Sequence, residues 1–60
     1  MMNAVYVFRK GEWKFHCVVP DQVLDGELKM LDKDSIKYNV VKIEKADIAK
    51  IEEIQDTLNK

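Results

Sequence analysis

The chain has 60 residues, a formal net charge of −1, 35% charged and 47% hydrophobic residues, and a single cysteine. That balance excludes a disordered acidic chain and a strongly basic duplex-DNA binder, and one cysteine excludes an internal disulfide. One domain spanning 1–60 is expected, and a chain of this size buries only about 60% of the surface its unfolded form exposes, so self-association is a natural support.

The first eighteen residues read as a β-hairpin. Two alternating runs, Asn3–Arg9 and Glu12–Val18, flank Lys10-Gly11, a dipeptide suited to a two-residue turn with positive φ at its glycine. The turn predicts a register with Arg9 opposite Glu12, Phe8 opposite Trp13, Tyr6 opposite Phe15, Val5 opposite His16 and Ala4 opposite Cys17. Strand alternation then puts Tyr6, Phe8, Trp13 and Phe15 on one face, and Val5, Val7, Arg9, Lys14, His16 and Val18 on the other. The aromatic face is either core or binding surface; its size favours core.

Pro20 closes the second strand and suits the first turn of a helix, where Asp21 complements the dipole. Val23, Leu24, Glu27, Leu28 and Leu31 recur at three- and four-residue spacing, predicting a helix to about Asp32 despite Gly26. The competing reading makes Glu27–Leu31 a strand. Ser35–Glu44, rich in β-branched residues, is the next strand. Being apolar on both sides at Val40-Val41, it is expected at the centre of the sheet or against a neighbouring subunit. Beginning at Glu44 or Lys45, the last segment carries Ile48, Ile51, Ile54 and Leu58 on a helical stripe, with Asp47 in the first turn.

The order ββαβα predicts an α+β fold, a three-stranded sheet with both helices on one face. The connection from second to third strand is long enough for a right-handed crossover that makes them parallel. The longest apolar run, Ala4–Phe8, is too short to span a bilayer, and no leader segment is visible, so a cytoplasmic protein with no membrane partner is expected.

Little in the chain suggests chemistry. His16 and Cys17 are adjacent, but on a regular strand they point to opposite faces, and no third group is evident to orient a nucleophile. One histidine and one cysteine cannot supply a four-ligand site, so support by a metal is not expected. Asp32-Lys33-Asp34-Ser35 opens like a calcium loop but lacks its glycine and closing glutamate. Gly11 and Gly26 match no phosphate loop. No catalytic residue, cofactor or metal is therefore expected.

The functional expectation is a non-catalytic protein-protein interaction module. Its small size and Lys/Ile/Asp-rich composition are common among phage and mobile-element proteins that bind and inhibit a host protein. Its candidate partner-binding residues are Tyr6, Phe8, Trp13, Phe15 and the acidic helix face Glu52, Glu53 and Asp56, and a homodimer is one expected form. Two alternatives remain: a single-stranded nucleic-acid binder stacking bases on the hairpin aromatics, which the acidic balance disfavours, and a ligand-binding oligomer.

Overall fold

Lys10 and Gly11 both adopt positive φ, 52° and 81°, as a hairpin turn matched to strand twist requires. A computed structural model describes all 60 residues. The turn joins β1 (Met2–Arg9) to β2 (Glu12–Pro20), followed by α1 (Asp21–Lys33), β3 (Tyr38–Ile43) and α2 (Ile48–Leu58). The α+β class and the ββαβα order are those read from the sequence. Residues 27–31 lie within α1, so the strand alternative for that segment does not form.

The sheet order is β2-β1-β3, with β1 antiparallel to both neighbours. β2 and β3 thus run in the same direction with β1 between them. The central strand is β1, not β3: its run from Asn3 to Val7 is buried on both faces. A longer apolar stretch than Val40-Val41 fills the only position covered on both sides.

The helices lie on opposite faces, which corrects the expectation that both share one. Ala4 and Tyr6 pack with Ile43 and Ile51, joined by Trp13, Val18, Ile54 and Leu58. On the reverse side Val5 and Val7 pack with Leu31, joined by Cys17, Val19, Leu24 and Leu28. Because β1 is apolar on both sides, each side needs its own helix. The molecule measures 29 × 29 × 12 Å. Its thin dimension is about the width of three strands spaced ~4.8 Å apart.

The predicted register holds from Arg9–Glu12 to Tyr6–Phe15 and then breaks. A β-bulge places Cys17, not His16, opposite Val5, and Val18, not Cys17, opposite Ala4. Cys17-Val18-Val19 is apolar on both faces, so the hydrophobic pattern does not hold the register there. The extra residue sends Val18 into the α2 side of the core and turns Cys17 and Val19 toward α1.

The helix ends follow local chemistry. At the C-terminus of α1, Ser35 N–H donates to the Asp32 carbonyl and Ile36 N–H to that of Leu31, both at 3.0 Å. Ser35 takes the left-handed position at φ 57°, and Ile36 packs in the cluster that contains Leu31. Asp34 and Ser35 therefore finish a helix instead of opening an ion loop. Asp47 is the N-cap of α2, its carboxylate accepting from Ala49 and Lys50 N–H, so it precedes the first turn that the sequence reading gave it. Ile48, expected in the buried stripe, is 75% exposed, while Ile51 carries the contact with the sheet. No helix is long and apolar enough to cross a membrane.

Candidate protein-interaction surface

A three-stranded sheet has two edges, and this chain treats them differently. On β2, the backbone groups of Trp13 and Phe15 point away from β1 and meet side chains of α2 and of Asn59, the residue that caps its C-terminus. Trp13 N–H donates to Asn59 Oδ1 at 2.6 Å, and Asn59 Nδ2 donates to the Trp13 carbonyl at 2.9 Å. Phe15 N–H donates to Gln55 Oε1 at 2.7 Å. The Asn59 amide thus imitates a neighbouring strand, and with Gln55 it covers the turn-proximal half of the β2 edge.

The β3 edge has no such cover. Phe8 N–H donates to the Lys37 carbonyl at 3.0 Å, and β1 pairs onward through Tyr6–Asn39 and Ala4–Val41. Antiparallel alternation therefore turns the N–H and C=O groups of Tyr38, Val40 and Lys42 outward. No side chain or loop hydrogen-bonds to them. The strand is also thinly covered: Tyr38 to Val41 are half-buried, since the helices lie chiefly over β1 and β2.

The hairpin aromatics divide between core and rim. Tyr6 is wholly buried and its hydroxyl donates to the Ile51 carbonyl at 2.9 Å; burial pushes its phenol above the ordinary value. Phe15 meets Tyr6 edge-on at 5.8 Å between ring centroids, and Phe8 meets Trp13 at 5.3 Å. Trp13 is half-buried against the α2 cluster, whereas Phe8 and Phe15 are 39% and 40% exposed. Arg9 and Lys14 lie on the opposite side of the sheet from these rings, as the alternation predicts. Glu52, Glu53 and Asp56 are exposed on the outer face of α2.

The bulge brings together what the sequence reading kept apart. His16 and Cys17 both reach the α1 side, where Glu27 supplies a third group. His16 Nε2 lies 2.9 Å from Glu27 Oε1, and the ligand atoms of His16, Cys17 and Glu27 all fall within 4.8 Å of one another. Burial first, then the charge and hydrogen bond of Glu27, push the Cys17 thiol above its ordinary value. The thiolate is the form that either attacks an electrophile or binds a metal, so both roles require Cys17 to lose its proton. The only sequence signal for it was the adjacent His-Cys pair, because bulge position and helix packing have no local signature.

A second polar cluster is structural. Buried Asn3 donates through Nδ2 to Asp21 Oδ1 at 2.6 Å and to the Val19 carbonyl at 3.2 Å. Lys42 Nζ reaches Asp21 Oδ1 at 3.3 Å and Asn3 Oδ1 at 3.4 Å. These bonds tie the start of α1 to β1 and β3. The one concavity is an open depression at the end of β3, lined by Lys42, Ile43, Glu44, Lys45, Asp47 and Lys50. Comparison with protein-family models, curated proteins and solved structures finds no match to this chain.

Proposed function

We propose that this chain is a small non-catalytic protein-interaction module that binds by strand addition at the β3 edge, and that the first strand it accepts is β3 of a second copy. One observation carries the reading: Tyr38, Val40 and Lys42 present unpaired backbone groups on a strand half-exposed on both faces, while the turn-proximal half of the other edge is capped. Main-chain bonds supply affinity in this mode, and alternate side chains supply specificity.

Self-pairing is favoured by the sequence of the strand. With Val40 on the two-fold axis, Tyr38 of each copy stands opposite Lys42 of the other and every outward-facing residue is used. Lys42 then approaches Asp32, which accepts from the Tyr38 hydroxyl at 3.5 Å. The acidic turn holding Asp32 and Asp34 meets the end of β3 that carries Lys42 and Lys45, so unlike charges come together. Centring the pair on Lys42 would set like charges opposite. The product is a continuous sheet of order β2-β1-β3-β3-β1-β2. Phe15 and the acidic face of α2 stay outside the pair, as the surface by which the module would bind and block a target protein.

Sedimentation or light scattering at up to about 1 mM reaches even a weak pair of about −4 kcal/mol. A dimer is expected, abolished in Val40→Lys, which sets like charges on the axis, and in a synthetic chain with N-methylvaline at 40, which replaces the outward N–H with a methyl group and leaves the side chain unchanged. A wild-type chain that stays monomeric throughout that range overturns the reading, as does a dimer that both changes leave intact.

A further inference from the structure

We propose that His16, Cys17 and Glu27 form a binding site for one thiophilic divalent cation of the zinc class, with water in the fourth position. The site is independent of β3 and lies on the other side of β1.

The donor set selects the metal. Imidazole, thiolate and carboxylate together suit zinc, whereas calcium and magnesium take oxygen ligands. One thiolate and one carboxylate balance a charge of +2 beside a neutral imidazole, so the half-buried complex carries no net charge. A tetrahedral ion with bonds of about 2.0–2.3 Å holds its ligand atoms about 3.3–3.7 Å apart. The present separations, 2.9 Å between His16 and Glu27 and none above 4.8 Å, bracket that geometry.

The backbone is arranged for the purpose. The bulge that aligns Cys17 with Val5 also frees His16 to reach α1, and without it the two side chains would point to opposite faces. Glu27 comes from the middle of a helix held against the sheet by Leu24, Leu28 and Leu31. Cys17 packs in that same cluster, which shields the inner side of the site and strengthens the attraction between the ion and its ligands. His16 and Glu27 remain partly exposed, with side-chain exposures of 32% and 29%, and leave the path from solvent open.

The test is titration of the reduced full chain with Co²⁺ and Zn²⁺. One Co²⁺ per chain should bind, with a near-ultraviolet sulfur-to-cobalt band and the visible bands of a four-coordinate ion, and Zn²⁺ should bleach both. The charge-transfer band should vanish in Cys17→Ser. His16→Ala and Glu27→Gln should each weaken binding by at least about 100-fold, since loss even of outer-shell partners costs 10–100-fold. In the unaltered chain Zn²⁺ should shift the His16 ring and Cys17 Cβ resonances. Absence of the band, unchanged affinity in both His16→Ala and Glu27→Gln, or unmoved resonances overturns the site. One metal per two chains, bridged by two thiolates, also overturns it.

Discussion

Tyr6 shows how much one side chain can hold. Its ring fills the space between β1 and α2, and its hydroxyl donates to the Ile51 carbonyl inside the core. Tyr6→Phe keeps the ring and removes the hydroxyl's added hydrogen bond to that helix carbonyl. The expected loss is about 1–2 kcal/mol, read as a lower urea midpoint with an unchanged slope. Gly26 is the opposite case. It sits inside α1, and a Cβ built on it meets nothing within 4 Å. Gly26→Ala should therefore stabilise the domain by roughly 0.5–1 kcal/mol, seen as a higher melting temperature, because alanine loses less backbone entropy in a helix. A lower melting temperature would show that α1 needs the glycine for a reason other than space. At this scale, the burial of Tyr6 was legible from its place in an alternating hairpin. The exposure of Phe8 and Phe15 was not, since a strand pattern assigns a face but not how far a helix extends over it.

Among elements, the contrast between the two edge strands has the largest consequences. The last turns of α2 close β2 through Asn59 and Gln55, so the helix does more than bury the isoleucine stripe. Replacing both amides by alanine should open that edge while leaving the core contact of Ile51 in place. Wild type should form only the β3 pair, whereas Gln55→Ala with Asn59→Ala should form higher oligomers, measured by light scattering under the same conditions. Equal size distributions would mean that the amides are ornamental to the edge. The sequence showed α2 by its periodicity, offered α1 against a strand at residues 27–31, and marked β3 as having apolar surface to spare. It did not show that the spare surface is an edge, because strand order depends on which strand best fills the doubly covered position. The run Ala4–Val7 takes that position, and β3 is left beside it.

For the molecule as a whole, Asp21 links pieces that the chain order separates. Hydrogen bonds first from Asn3 and then from Lys42 hold its carboxyl below the ordinary value. A carboxyl depressed on folding contributes stability that is fully present above its unfolded pKa and is lost as pH falls through its folded pKa. The acid limb of the stability curve should therefore lie below the ordinary carboxylate range for this group, and Asp21→Asn should flatten that part of the curve. Urea unfolding at several pH values measures it, and an Asp21→Asn profile identical to wild type would remove the group from the acid response. The effect should be small, because the carboxylate is exposed to solvent.

The sequence alone determined the hairpin, the C-terminal helix, the β3 strand and the α+β class, and it left residues 27–31 open between helix and strand. Each of these is written in short-range terms: a Lys-Gly turn, a period near two or 3.6, a proline between strand and helix. Tertiary structure alone decided the bulge at His16, the central place of β1, the helix on each face, the capped and open edges, and the meeting of His16 and Cys17 with Glu27. Those features are settled by contacts between distant residues, such as Trp13 with Asn59 46 positions away. Where Cys17, Val18 and Val19 are apolar on both faces, periodicity permits more than one register. The competition for two helix-covered faces then selects the one that buries Val18 on the α2 side and Cys17 and Val19 on the α1 side.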